Sequence, residues 1–150
     1  MESEAQAKPL FSAQELPILF KWIRKGLDNP RNLEYLRKID LPRSPRIVHY
    51  TQEIFRFWTK IHYLIAKINR SLESMGKKNH IAPELLFYTS YRVKWEYATP
   101  EIIGAELQPF LGKMDHKASL HSFIKRLRNF NWDIALKEKS LIERISLLSA

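Results

Sequence analysis

The sequence predicts an all-α bundle of about six to seven helices with one long central helix. Apolar residues recur three and four positions apart in one segment after another, which is the spacing of a helix face. Most of these segments begin at a capping residue or a proline, and none shows the sustained two-residue alternation of a strand. The 150 residues, 45% of them hydrophobic, suffice for one domain with its own core.

Capping signals mark the first two predicted helices. Ser12 and Glu15 have the spacing of a capping box, in which each side chain binds the backbone N–H of the other residue. Apolar residues follow at helical spacing until Gly26, which we expect to close the helix. A second, shorter helix is predicted between Asn29, which precedes a proline, and Pro42.

Ser44 and Pro45 begin the dominant element, a helix of about 30 residues that is predicted to end before Gly76. Its buried seam is formed by Ile54, Trp58, Ile61, Ile65, Ile68 and Leu72. The remaining apolar segments predict four further helices, over residues 83–97, 99–112, 120–130 and 141–148.

Positive charge dominates the sequence, with 25 lysine and arginine residues against 16 aspartate and glutamate residues and a formal net charge of +9. The excess lies in residues 17–43, 44–78 and 113–150, while residues 79–112 are net acidic. A folded basic domain attracts polyanions, most often nucleic acid, because each neutralised phosphate releases condensed counterions. A basic surface with no nucleic-acid role is the alternative interpretation.

A row of cations with one interleaved aromatic side chain lies opposite the apolar seam of the long helix. It consists of Arg56, Lys60, Tyr63, Lys67 and Arg70, spaced three and four residues apart. Such a row can contact phosphates and stack a base, although charged residues opposite a seam commonly form only a solvated face. Lys125 and Arg128 share one face of a later helix, from which Arg126 points away unless it borders a groove.

No catalytic or cofactor-binding constellation is evident in the sequence. Its four glycines stand far apart, whereas a phosphate-binding loop needs several together. Without cysteine there is no thiol nucleophile, redox pair or zinc ribbon, and no histidine pair has a third metal ligand at a suitable spacing. Glu101 and Glu106 are expected to lie on a solvated face rather than to form an acid pair. We therefore predict no catalytic residue, metal or cofactor in this chain.

The central part of the chain resembles NusB-like RNA-binding domains over residues 44–132. The segment that begins at Arg46 resembles the long third helix of that family, which an arginine opens, and Arg46 is included among the candidate RNA contacts. The segments PELLFY (83–88) and ATPEIIGAEL (98–107) resemble the next helix pair of the family, and residues 120–132 resemble its closing helix.

The resemblance implies a non-catalytic module that positions structured ribosomal or transfer RNA for a Sun-type RNA 5-methylcytosine methyltransferase domain. Methyl transfer would then occur in a linked or separate domain that carries its own cysteines and methyl-donor fold. The alternative is a free NusB-like antitermination or protein-interaction factor, with Trp95 and Tyr97 as docking residues. DNA binding by the basic helices is a third hypothesis.

The N-terminal residues indicate how the chain is divided into segments and in which cellular compartment the protein is expected. Residues 1–11 are expected to form a mobile lead-in, followed by a single helical domain over residues 12–150. The start is acidic where a secretory signal would be basic, and no apolar run approaches about 18 residues. We therefore expect a cytoplasmic protein that does not associate with a membrane.

Overall fold

Six α-helices and a short 3₁₀ turn at Gln108–Phe110 form the part of the chain that the structure describes. This computed structural model describes residues 10–12, 14–29, 44–77, 80–112 and 114–132, without the side chains of residues 114 and 115. The helices are α1 (Leu16–Asp28), α2 (Pro45–Arg56), α3 (Trp58–Ser74), α4 (Pro83–Glu96), α5 (Pro100–Leu107) and α6 (Met114–Asn129). The all-α prediction is confirmed. The helices predicted near residues 30–42 and 141–148 lie outside the described residues.

Side-chain caps and prolines fix where the helices begin. Ser12 and Glu15 make the predicted capping-box hydrogen bonds in the turn that precedes α1: the Glu15 N–H donates to Ser12 Oγ at 3.2 Å, and the Ser12 N–H donates to Glu15 Oε1 at 3.1 Å. The helix itself begins at Leu16, and its N-cap residue, Glu15, makes no side-chain cap bond. Ser44 and Thr99 cap α2 and α5 by accepting from backbone N–H groups three residues later. Prolines occupy the first turn of α1, α2, α4 and α5, where no helical N–H bond is lost.

The predicted long helix is two helices, α2 and α3, which are separated at Phe57. The backbone of Phe57 has φ −98° and ψ 20°, away from helical values. The Phe57 ring lies 5.2 Å from that of Trp95, and the Trp58 ring lies 4.3 Å from that of Phe87. Since adjacent residues of a continuous helix do not face the same way, the break lets both rings contact α4. As a result α2 packs most extensively against α1, whereas α3 packs against α4 and α6.

The central helix of the bundle is α4 rather than the predicted long helix. It contacts each of the other five helices. Its residues from Leu85 to Val93 are all buried, including the polar Thr89 and Ser90. A helix that is covered on all sides has no solvent face, which explains why its sequence lacks a distinct apolar stripe.

Gly26 marks a close approach between α1 and α3. The prediction that Gly26 ends α1 is wrong, because the helix continues to Asp28. Gly26 is buried, and a Cβ at this position would lie 2.8 Å from Trp58 Cη2 and 3.1 Å from Phe55 Cε1. The glycine hydrogen therefore lets the Trp58 ring pack directly on the α1 backbone.

A buried network of charged and hydroxyl groups joins α4 to α5. The Arg92 guanidinium donates to Glu96 Oε1 at 2.8 Å and to Glu106 Oε2 at 3.2 Å. The Tyr88 hydroxyl donates to the other oxygen of Glu106, Oε1, at 2.8 Å. Arg92 is 8% exposed and Glu106 is 2% exposed. The expectation that Glu106 lies on a solvated face is therefore wrong, because its carboxylate is buried and neutralises a buried cation. Glu101, on the same helix, is exposed as expected.

The same network reaches α2 and the N-terminal segment. The Tyr50 hydroxyl donates to the carboxylate of Glu96 and lies 2.7 Å from both of its oxygens. The Leu10 N–H donates to Glu106 Oε2 at 2.5 Å, and Phe11 is buried with its ring 5.0 Å from that of Tyr50. Leu10 and Phe11 thus pack with the domain instead of belonging to a mobile lead-in. The residues before Leu10 lie outside the described ranges.

Burial shifts the ionisation of the tyrosines in and beside this network. It raises the pKa of Tyr50 and Tyr88 well above the ordinary value of 10.0, and the carboxylates of Glu96 and Glu106 add to the effect. Burial likewise raises the pKa of Tyr91 to about 12. The folded protein therefore holds these three side chains in their neutral form.

We expect Gly26→Ala and Gly104→Ala to change stability in opposite directions. Both glycines lie inside helices, where alanine gains about 1 kcal/mol of helix propensity. At Gly26, overpacking against Trp58 costs about 1–3 kcal/mol, so the net change is destabilising. Among the described residues, nothing outside its own helix backbone lies within 4 Å of a Cβ at Gly104, so that variant should gain up to about 1 kcal/mol. Urea unfolding measures both, and a stabilised Gly26→Ala would contradict the close packing.

Glu106→Gln should destabilise the fold by about 2–4 kcal/mol, because it leaves the buried Arg92 with one carboxylate fewer. Glu101→Gln is a matched change at an exposed position of the same helix, and it should alter the free energy of unfolding by less than about 0.5 kcal/mol. Denaturant unfolding followed by circular dichroism measures both values. Equal effects of the two substitutions would show that Glu106 is not a structural counter-ion.

The free energy of unfolding should decrease as the pH rises above about 10. The folded protein keeps Tyr50, Tyr88 and Tyr91 protonated, whereas in the unfolded chain they ionise near their ordinary pKa of 10.0. Their contribution to the free energy of unfolding is therefore complete below pH 10. It is lost as the pH rises towards the pKa values of the folded state, and that of Tyr91 is about 12. Urea unfolding at about pH 8, 10 and 11 tests this, and Tyr91→Phe should show a weaker decline. A constant free energy over this range is the contrary result.

Candidate nucleic-acid interface

A groove of about 560 Å³ lies between the C-terminal parts of α3 and α6. We call it the basic groove and define it by its four cations, Lys67, Lys77, Lys125 and Arg126. Its apolar lining is formed by Ile68, Leu72, Met75 and Phe130. Its other polar groups belong to Ser71, Ser122, Asn129 and Asn131. A volume of this size is typical of sites that enclose a small organic group.

The helical repeat explains why these cations meet. The helices α3 and α6 pack against each other, and each buries an apolar seam. Lys67 precedes the buried Ile68, and Arg126 precedes the buried Leu127, so that each cation lies at the edge of a seam. Cations at the edges of two packed seams come together at the boundary between the two helices.

The basic groove concentrates positive charge at this boundary. None of the described residues that line it is acidic. The Arg126 guanidinium also contacts the sulfur of Met75 at the end of α3, which ties it to the opposite wall of the groove. Cations beside an apolar, low-dielectric wall produce a strong local field, and this field favours anionic groups such as phosphates.

Two of the predicted RNA contacts, Lys67 and Lys125, line the basic groove from facing helices. Arg70, three residues beyond Lys67, is exposed but is not among the lining residues. Arg126 was expected to point away from the face that carries Lys125 unless it bordered a groove, and it lines the basic groove together with Lys125. The structure therefore joins one member of the predicted row on the long helix to the cluster on α6.

The N-terminal cations of the predicted row gather around the break between α2 and α3. The Arg56 guanidinium carbon and the Lys60 ammonium nitrogen lie 5.1 Å and 5.6 Å from the centroid of the Phe57 ring. These distances are within the range of cation–π attraction. Arg56 also lies 3.9 Å from the carboxylate of Glu53. Both cations are outside the basic groove.

Tyr63 and Arg46, the remaining predicted contacts on α2 and α3, interact within the chain. The Tyr63 ring stacks on that of Trp132, with centroids 6.2 Å apart and planes 22° from parallel. One face of the Tyr63 ring is therefore covered by the chain itself. Arg46, at the start of α2, donates to the carbonyl oxygen of Leu10 at 2.7 Å and so helps to hold the N-terminal segment.

Arg128 lines a second, smaller depression of about 260 Å³ together with Lys94 and Tyr97. We call this site the Tyr97 depression; it is completed by Val93 and Ala98. The Lys94 ammonium donates to the carbonyl oxygen of Phe130 at 3.0 Å, and partial burial lowers the pKa of Lys94 below its ordinary 10.5. Because Phe130 also lines the basic groove, the two sites adjoin.

Of the two aromatic residues that were expected at a docking surface, Tyr97 is 85% exposed, whereas Trp95 is half-buried. The Trp95 ring stacks on that of Tyr91, with centroids 5.8 Å apart and planes 11° from parallel. Its other aromatic neighbour is Phe57. Trp95 therefore packs against other rings of the chain, and Tyr97 is the more accessible of the pair.

The sequence-based prediction missed Lys77 and Lys94. Lys77 enters the basic groove because Gly76 turns the chain at φ 76°, and the Lys77 N–H then donates to the Leu72 carbonyl oxygen at 2.9 Å. A glycine after the last apolar residue of a helix is a known end signal, and it could have placed Lys77 here. The position of Lys94 depends on how α6 packs against α4, which no local signal reports.

No family model matches the chain, and no curated protein sequence or solved structure is significantly similar to it. Among the described residues, no group of three potential ligands is arranged to hold a metal ion. Of the helices within the described ranges, none has the length and apolar character needed to cross a bilayer. The function must therefore be inferred from the geometry and charge of this chain.

Proposed function

We propose that this chain is a non-catalytic RNA-binding module that holds the phosphate backbone of structured RNA in the basic groove. Four cations converge there, one from α3, one from the turn that follows α3 and two from α6, and no acidic residue is present among the described lining residues. Counterion release then supplies affinity, while the fixed cations position the RNA. This convergence is the observation that supports the proposal most directly.

The shape and the lining of the basic groove favour RNA over duplex DNA. Proteins that read B-DNA insert a helix or a pair of strands into the major groove, whereas the basic groove is concave. Unpaired RNA bases can enter such a groove, where Ile68 and Leu72 offer apolar contact and Asn129 offers hydrogen-bonding groups. Competition between a structured RNA and duplex DNA for the protein distinguishes the two ligands.

The resemblance to NusB-like domains over residues 44–132 supports a more specific role. In this role the module positions ribosomal or transfer RNA for an RNA 5-methylcytosine methyltransferase domain in the cytoplasm and needs no cofactor of its own. Faster methyl transfer by such a domain when the module is present would support it. The alternative is a free NusB-like antitermination or protein-interaction factor, for which the exposed Tyr97 would be a docking residue.

Replacing Lys67, Lys77 and Lys125 together by glutamine should weaken the binding of structured RNA and reduce its salt dependence. Each lost phosphate contact makes the negative slope of log K against log salt concentration shallower by about 0.7 to 0.9, so the slope of the triple variant should be about 2 to 3 units less steep. Filter binding over a series from about 50 to 300 mM salt measures the slope.

A matched control removes the same charge outside the basic groove by Lys21→Gln, Arg56→Gln and Lys117→Gln, all at exposed positions. This control should keep most of the native slope. Equal losses in the two triple variants would indicate diffuse attraction by the whole surface instead of a defined site. An unchanged slope in the groove variant would contradict the proposed function.

A further inference from the structure

Tyr97 has a conformation and an exposure that the described part of the fold does not require. It ends α4 in the left-handed conformation, with φ 56° and ψ 32°, where glycine is favoured and tyrosine is strained. Its side chain is 85% exposed, so burial does not offset that strain. The helix end is closed by the backbone, since the Ala98 N–H donates to the Arg92 carbonyl oxygen at 3.0 Å. Neither packing nor capping explains an aromatic ring at this position.

Tyr97 lines its depression together with two cations. Lys94 and Arg128 line the same depression, whose described lining residues include no acidic side chain. The adjacent glutamate in the sequence, Glu96, is bound by the buried Arg92. Proteins that bind single-stranded nucleic acid stack unpaired bases on aromatic rings and bind the phosphates between those bases with nearby cations.

The Tyr97 depression lies next to the basic groove at the C-terminal end of α6. The Lys94 ammonium donates to the carbonyl oxygen of Phe130, and Phe130 lines the groove. Arg128 and Asn129 are neighbours on α6, and the first lines the depression while the second lines the groove. The two sites are therefore neighbours at this end of the basic groove.

We propose that Tyr97 is a stacking platform for an unpaired base of the bound RNA, whose flanking phosphates contact Lys94 and Arg128. The ligand is then an RNA with a single-stranded segment, such as a loop or an overhang, that runs from the basic groove across the Tyr97 depression. This inference rests on the proposed function and adds the class of RNA that the groove takes. Stacking tolerates any base, because every base has a π face.

The test compares Tyr97→Gly with Tyr97→Phe on two probes, an unstructured RNA of about 12 nucleotides and the same RNA annealed to its complement. Loss of the ring should weaken single-strand binding about 5- to 150-fold and leave duplex binding within about twofold. Tyr97→Phe keeps the ring and should keep the native affinity. Glycine relieves the left-handed strain, so the unfolding temperature of Tyr97→Gly should be unchanged or higher, and misfolding cannot account for the loss.

The outcomes separate this inference from the proposed function. If Tyr97→Gly leaves single-strand affinity unchanged while the groove variant loses salt dependence, the stacking role is overturned and a protein contact becomes the better role for Tyr97. An equal loss on both probes also overturns it, because the duplex offers no unpaired base. If the native protein binds neither probe at low salt, both proposals fail.

Discussion

The burial of Arg92 is the constraint on which the arrangement of the helices depends. A guanidinium removed from water must be neutralised, and the two carboxylates that do so, Glu96 and Glu106, belong to α4 and α5. Those carboxylates in turn bind the hydroxyl of Tyr50 on α2 and the backbone N–H of Leu10. Directional hydrogen bonds thus specify how α2, α5 and the N-terminal segment lie around α4, whereas apolar contact alone has no preferred orientation. Neither of these carboxylates lines the basic groove.

Local signals predicted the helices and their starting points. The caps at Ser44 and Thr99 are confirmed because a cap depends only on residues within one turn. The break at Phe57 and the burial of Glu106 were not predictable in this way. Helical periodicity shows that a face is apolar, but it does not show which helix covers that face or where two neighbouring rings find partners. Both features depend on α4, whose own pattern is obscured because it is covered on every side.

In the candidate site, too, local sequence signals predict some features, while others depend on contacts between helices. Lys67 and Lys125 were predictable, since each lies beside an apolar seam whose helical phase can be counted. Their convergence in one groove depends on the contact between α3 and α6, and the addition of Lys77 depends on the turn at Gly76. The row of cations that was predicted along one continuous helix also includes Arg56. In the structure Arg56 lies against the Phe57 ring at the break between α2 and α3, outside the basic groove. The residue types were therefore predictable, whereas their grouping required the tertiary structure.

The contact between Gly26 and Trp58 makes these two positions interdependent during evolution. A side chain can take the place of the glycine hydrogen only if the indole gives way to a smaller group, and a smaller group at position 58 alone leaves a void in the core. Each single exchange is unfavourable, while the double exchange restores the contact. Related sequences are therefore expected to retain the glycine–tryptophan pair or to replace both members together, and this epistasis would reveal the α1–α3 interface through covariation alone.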